Sequence, residues 1–236
     1  MKRRTKKRAL LRKSFTIVFA IAILSGLSYT LGYSHLIIFK SLSITGTQQS
    51  SVISKSIFAD SHTHIGQPLA RVNLRIIKKS VESISWVKRA SISRNWLKGN
   101  VVVKIEARKP IASFLILHNV TNYFDSEGNQ FATPLPIVGL PIISFASDAK
   151  ELRLAAAATL KQMPKDVLDG LVSMKVASAK FIESTEHFGG KNFVIRWGEP
   201  VNFALKVKVL RILVGLPENA TARVFDLTDP TAPIVK

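Results

Sequence analysis

Trp86 to Arg108 reads WVKRASISRNWLKGNVVVKIEAR. Trp86–Arg94 and Val101–Arg108 are predicted strands, joined through Asn95–Asn100. In the second, Val101, Val103 and Ile105 alternate with Val102, Lys104 and Glu106, the period of two expected of a half-buried strand. Upstream, Asn73 is a good helix N-cap, and Leu74, Ile77, Val81 and Ile84 recur at helical spacing behind it. The polar, breaker-rich stretch Asp60–Pro68 (DSHTHIGQP) predicts a loop. Before that, Ser50 or Ser51 can cap a short helix with Val52, Ile53 and Ile57 as its apolar positions. From Leu36 the chain alternates through Ile38, Lys40, Leu42 and Ile44 to a turn at Gly46, which predicts a further strand. The order is strand, helix, helix, strand, strand. Two helices can cover one face of a three-stranded sheet and enclose a modest core.

Ahead of this module lies Ser14–Phe39, 26 residues without Lys, Arg, Asp or Glu. Its most apolar part, Phe15–Tyr33, is long enough to cross a hydrocarbon core of roughly 30 Å as a helix. Residues 1–13 carry Lys2, Arg3, Arg4, Lys6, Lys7, Arg8, Arg12 and Lys13 and no acidic residue. The positive-inside rule therefore places a cytoplasmic tail at 1–13, a membrane span at 14–35 and the rest outside the cytoplasm. Tyr29, Tyr33 and Phe39 are positioned for an aromatic belt at the outer interface. A cleaved signal peptide is the rival, with Phe15–Leu24 as its apolar region and Ser25-Gly26 as small residues. Continuation of the apolar run through Leu27, Leu31 and Tyr33 favours a retained anchor.

About 200 residues follow the span, enough for one or two small domains. The formal net charge is +19, and the tail supplies eight of those charges. A basic run beside a span is explained by orientation and anionic headgroups, so no nucleic-acid partner is expected. There is no cysteine. The ectodomain must hold together by its core alone, and cysteine-ligated metal sites are excluded.

Several stretches of the first module resemble the POTRA domain of the FtsQ/DivIB cell-division family. They are SITG at Ser43–Gly46, GQPL at Gly66–Leu69, WVKRASISRNW at Trp86–Trp96 and EARKPIA at Glu106–Ala112. Two positions depart from the family's pattern: Leu97 stands where Pro is usual, and Ala107 stands where Glu usually precedes the Arg. Both fall at strand ends, where altered local geometry is expected rather than a different fold.

The second module begins with Ile111–Leu117, an apolar run read as a buried strand. Asn122–Phe131 is a hairpin signal turning over Asp125–Asn129, and Thr133–Pro141 is a proline-punctuated connection. Asp148 with Glu151 resembles a capping box opening a helix to about Met163, with Leu152, Ala155, Ala156, Thr159, Leu160 and Met163 facing inward. Leu171–Ala177 and Asn192–Trp197 read as strands separated by a loop bearing Glu183, Glu186, His187, Gly189 and Gly190. A last helix presents Phe203, Val207, Leu210 and Val214 on one face and Lys206, Lys208 and Arg211 on a basic one. Arg223–Leu227 and Thr231–Val235 are short terminal strands broken at Asp229-Pro230. IRWG at Ile195–Gly198, the helix over Lys206–Leu213 and VFDLTDPTAP at Val224–Pro233 resemble the C-terminal pattern of the same family. The expected fold class is α+β: one transmembrane helix, a POTRA domain (β-α-α-β-β) at 36–110, and a mostly β domain with late helices at 111–236.

No catalytic constellation is visible. His62 and His64 form an i, i+2 pair with only Asp60 close by, and are read as loop residues rather than metal ligands. Asp125 and Glu127 are explained by the turn. His118 and His187 are isolated, nothing resembles a nucleophile elbow, and no glycine-rich phosphate loop occurs. No cofactor, metal or small-molecule substrate is expected. Trp86 and Trp96 could be exposed binding residues, but Trp86 is better read as part of the core. The resemblance implies a non-enzymatic scaffold at the division septum, binding small bitopic division proteins of the FtsB/DivIC and FtsL types and linking them to septal peptidoglycan synthesis. The alternative is a POTRA-containing chaperone or receptor in membrane-protein or protein-export assembly. That class normally carries tandem POTRA repeats ahead of a β-barrel, and no run of amphipathic barrel strands follows here. The expected partner surface is the pair of C-terminal strands, Arg223, Val224, Phe225, Asp226 and Leu227 with Thr231, Ala232, Ile234 and Val235. The expected mode is addition of a partner strand to an open sheet edge.

Overall fold

The computed structural model describes residues 15–26, 28–29, 37–116, 120–188 and 190–236, without the side chains of Ile116 and Val120. Residues 15–26 and 28–29 are helical. The basic tail and parts of the expected span (14, 27 and 30–35) lie outside the described residues. Among the described residues no helix is long and apolar enough to cross a membrane. The chain divides into two compact units between Ala107 and Arg108.

The first unit has the predicted element order. Strands β1 (Ser41–Thr45), β2 (Val87–Asn95) and β3 (Asn100–Ala107) form a sheet in the order β1-β3-β2. β1 runs parallel to β3 and β2 antiparallel to it. Helices α1 (Ser50–Asp60) and α2 (Leu74–Glu82) supply Ile53, Ile57, Ile77 and Val81 to a core shared with Trp86, Ala90, Val101, Val103 and Ile105. Asn73 caps α2 as its sequence predicts, its Oδ1 accepting from the N–H groups of Arg75 (3.1 Å) and Ile76 (3.2 Å). The helix ends at Glu82, so the half-buried Ile84 lies past its last turn. Between the helices, the Ser80 hydroxyl donates to the Asp60 carboxylate at 2.7 Å and lies 2.9 Å from the Ser56 hydroxyl.

Residues 38–40 differ from expectation. β1 begins only at Ser41, and Phe39, expected at a membrane interface, is wholly buried in the core beside Phe58. Its N–H donates to Gln67 O and its carbonyl accepts from Gly66 N–H, both at 2.8 Å. The GQPL stretch therefore serves as a short partner for the chain ahead of β1. Gly99, at φ +67°, closes the β2–β3 turn against the same chain, where a Cβ would stand 2.7 Å from the Ile38 carbonyl oxygen. Leu97 occupies this turn, fully in solvent, so its departure from the family's proline leaves the sheet intact.

The second unit is one nine-stranded sheet with its helices packed into a single core. Its strands are β4 (Ala112–Ile116), β5 (Val120–Phe124), β6 (Gln130–Phe131), β7 (Ile142–Phe145), β8 (Leu171–Ser178), β9 (Phe181–Phe188), β10 (Lys191–Arg196), β11 (Val224–Asp226) and β12 (Ile234–Val235). Their order is β12-β11-β10-β9-β8-β7-β4-β5-β6. Helices α3 (Lys150–Gln162), α4 (Lys165–Asp169) and α5 (Phe203–Gly215) contribute Leu152, Ala156, Leu160, Val167, Phe203, Val207 and Leu210 to that core. Against them pack Phe114, Phe124, Met174, Val176, Ile182, Ile195 and Phe225. On the opposite face, residues 132–141 fold over Tyr123 and Phe131, and the Tyr123 hydroxyl accepts the Ile137 N–H at 2.8 Å.

Three expectations for this unit are corrected, and two of its elements were not foreseen. The segment holding Glu183, Glu186 and His187, expected as a loop, is strand β9, with its remaining Gly189 outside the described residues. Ile182, Ser184 and Glu186 point inward while Glu183 and His187 point out, so polar residues on both faces hide the period of two. Strand β7, in the run PIISF, and the short helix α4 were not expected. Asp148 does not cap α3: the cap position is Ala149, and Asp148 instead accepts a hydrogen bond from the buried Arg153. Lys206 belongs to the buried face of α5, not its basic face.

The C-terminal sheet edge as candidate functional site

The two predicted terminal strands lie together at one edge of the nine-stranded sheet, but they play different parts. β11 is interior. It runs parallel to β10 in the register Val194↔Val224, Ile195↔Phe225 and Arg196↔Asp226, and antiparallel to β12 on its other side. The predicted alternation holds: Phe225 and Leu227 are wholly buried, and Val224 and Asp226 are half-exposed on the outer face. Phe225 meets Phe193 edge to face at 5.5 Å. Phe225 and Leu227 therefore hold the edge in place from beneath and do not present side chains to a partner.

β12 is the edge strand and is shorter than the expected Thr231–Val235. Thr231 and Ala232 lie in a turn. The Thr231 N–H donates to Asp229 Oδ1 at 2.9 Å and the Ala232 N–H to Asp229 O at 3.2 Å, so neither donor is open to a partner strand. The Thr231 hydroxyl also donates to that carboxylate at 2.7 Å, and these bonds hold the Asp229 pKa below its ordinary value. Val224 and Lys236 exchange both backbone hydrogen bonds at 2.9 Å. Bonded and non-bonded pairs alternate along an antiparallel ladder, so the next bonded pair is Asp226↔Ile234. The Ile234 N–H thus points in toward β11, and the N–H and C=O of Val235 point to the open side. Pro233 has no donor, so within β12 the outward N–H is that of Val235.

The outer face of this edge carries a charged ladder. Arg196 Nε lies 3.1 Å from Glu183 Oε2, and Arg196 Nη1 lies 3.8 Å from Asp226 Oδ2. Ile234, paired with Asp226, ends the row with its side chain half exposed. A partner strand laid beside β12 would find an apolar side chain backed by alternating charges.

Beneath the edge, the loop from Trp197 to Asn202 is pinned by groups that the sequence disguises. Trp197 is wholly buried and stacks on Phe203 at 4.6 Å. Lys206, 1% exposed, donates from Nζ to the carbonyls of Trp197 and Glu199. Burial lowers its pKa, against the opposing attraction of Glu199, Asp229 and Asp226. The spacing Phe203, Lys206, Val207, Leu210 is itself a helical core stripe, and this signal could have placed Lys206 inward. Gly198 adopts φ +65°, and a Cβ there would meet Thr228 Cγ2 at 2.9 Å. We expect Gly198→Ala to cost ~1–3 kcal/mol from the left-handed backbone alone. It should also loosen the 226–230 turn, read as faster amide exchange at Phe225 and Leu227.

The other candidate residues fall apart spatially or are explained locally. His62 and His64 are exposed loop residues, with His62 at φ +50°, and no group of three or more possible metal ligands occurs among the described residues. Asp125 is the anchor of its turn. Burial alone would raise its pKa, but hydrogen bonds from the Asn129 and Glu127 N–H groups and from Arg108 at 2.7 Å hold it below the ordinary value. His187 pairs with Asn192 at 2.7 Å, and His118 lies outside the described residues. Trp86 is core, and Trp96 is 42% exposed.

Residues 39–108 match the family model of the POTRA domain, FtsQ-type. This match covers the first unit's sheet and both of its helices, and it supports an FtsQ/DivIB-type family for the chain. No curated protein sequence matches the chain significantly.

Proposed function

From the FtsQ-type POTRA domain, we propose that the chain is a non-enzymatic scaffold of cell division, bitopic in the membrane, with residues 1–13 cytoplasmic and its two folded units outside. Residues 14–35 are the membrane span in this reading, supported by their lack of charge and by the basic tail before them. The partners are small bitopic division proteins of the FtsB/DivIC and FtsL types, through which the chain acts on septal peptidoglycan synthesis. The observation that carries the binding mode is the short open edge of β12, with Val235 directing its backbone donor and acceptor outward and Ile234 its side chain to the outer face.

The experiment compares two prolines. Val235→Pro removes the outward donor, whereas Ile234→Pro removes the donor that closes β12 onto β11. Full-length protein extracted from membranes should capture the FtsB/DivIC-type partner poorly when it carries Val235→Pro, while the amides of Val224 and Asp226, which bond to β12, stay protected from exchange. Ile234→Pro should lose capture and protection together. Undiminished capture by Val235→Pro with the edge intact would sink the strand-addition mode.

A further inference from the structure

The first unit carries exposed apolar residues at the end of its sheet where the chain arrives from the expected span. Ser41 pairs with Asn100, and Asn100 pairs with Asn95, so the β2–β3 turn lies at the same end as the start of β1. The Lys40 N–H donates to the Gly99 carbonyl in that turn at 2.8 Å. Gly66 bonds to Phe39 at 2.8 Å, which brings Ile65 to this end as well. From residue 35 to Lys40 the chain can extend at most about 18 Å. Whatever membrane holds residues 14–35, Lys40 lies within that reach of it.

Leu97 is 100% exposed, Ile65 62% and Trp96 42%. Single exposed apolar residues are ordinary. Here three lie at one end, and the charged residues of the segments 38–40, 62–68 and 94–100 that meet there are all basic: Lys40, Arg94 and Lys98. The Arg94 guanidinium sits 5.8 Å from the centre of the Trp96 ring. It also donates to the carbonyls of Leu69 (2.9 Å) and Val72 (2.5 Å), so the cation beside the indole is fixed by the fold. The loop His62–Pro68 and the turn Asn95–Asn100 contain no acidic residue. An indole and aliphatic side chains beside Lys40, Arg94 and Lys98 suit the boundary between headgroups and acyl chains. There the apolar atoms leave water while the cations reach anionic headgroups.

We propose that Trp96, Leu97 and Ile65 form a lipid-facing tip that seats the first unit on the outer leaflet beside the span. The tip rests on the reading of residues 14–35 as a retained membrane span. Its partner is an anionic bilayer surface, and its effect is to restrict how the unit is oriented above the membrane.

The chain has no cysteine, so single-cysteine spin labels test this cleanly. Leu97→Cys, Thr45→Cys at the exposed far end of β1, and Ile23→Cys within the span are each made in the full chain. The labelled proteins are reconstituted into phosphatidylethanolamine–phosphatidylglycerol vesicles. The label at position 97 should lose accessibility to a water-soluble nickel complex several-fold relative to that at position 45, and gain relaxation by lipid-dissolved oxygen. A label at 97 that behaves like the one at 45, while 23 reports lipid, overturns the tip and leaves the span standing. If 23 also reports water, the span and the tip fall together. A label at 97 shielded from both reagents would place protein rather than lipid on this surface and overturn the proposal equally.

Discussion

Ile77→Asp should unfold the first unit while leaving the second folded. Ile77 is wholly buried on the inner face of α2, and the basic residues of that helix, Arg75, Lys78 and Lys79, all lie on its exposed side. Burying an unpaired carboxylate costs several kcal/mol, and losing the isoleucine packing adds about 2–5 kcal/mol. A domain of this size has only about 4–10 kcal/mol of stability to lose. The neighbouring Ile76 is 43% exposed, so Ile76→Asp, one residue away on the same helix, should be nearly silent. Hydrogen exchange of the full chain checks both at once. Amides of β2 and β3 should lose protection in Ile77→Asp and keep it in Ile76→Asp, and those of β8–β10 should stay protected in each. Equal protection in the two variants would mean that α2 is rotated from the face described above.

The contrast between Ile76 and Ile77 also shows what the sequence made legible. Where apolar and polar residues separate cleanly, as in α2 and β3, the periodicity identified both the element and its buried face. The same held for α3 and for Phe225 and Leu227 in β11. Legibility failed where a polar residue sits in the core. Glu186 and Ser184 break the alternation of β9, so the strand looked like a loop, and Lys206 looked like part of an exposed basic face. Ser184 bonds to Trp197, just past the next strand, and Glu186 to Ser184, pairings that the linear order does not show, whereas Lys206 leaves a trace in the helical spacing of its buried neighbours. The C-terminal sheet edge was legible in outline and not in its donors. The chain ahead of residue 236 shows two short strands. The alternation of bonded pairs that turns Ile234 inward and Val235 outward, however, depends on the register with β11. Phe39 failed for a related reason. It ends an uncharged run and so reads as part of the membrane boundary, until its hydrogen bonds to Gly66 and Gln67 place it in a core.

The buried carboxylate leads to the second large effect. Glu186 is wholly buried in β9, where it accepts the Ser184 hydroxyl at 2.8 Å, and Ser184 in turn accepts the Trp197 indole N–H at 2.7 Å. Its second oxygen, Oε2, is buried without a hydrogen-bond partner in the structure. Burial pushes its pKa from 4.5 up to about 7, against the opposing Ser184 hydrogen bond. Between these two values the folded chain holds a proton that the unfolded chain has released. Stability therefore falls as pH rises from about 4.5, and the loss is complete above about 7, amounting to about 3 kcal/mol. Glu186→Gln keeps the shape and an acceptor for Ser184 but cannot ionise. We expect it to match the parent near pH 4.5 and to exceed it at pH 8 by up to about 3 kcal/mol. Trp197 is the natural reporter, and a Trp86→Phe, Trp96→Phe background isolates its fluorescence during urea unfolding of the detergent-solubilised chain. Parallel pH dependences in the parent and in Glu186→Gln would show that the native carboxyl titrates in the ordinary range. The Glu186–Ser184–Trp197 chain would then have to contain a charge partner, or water, at Oε2.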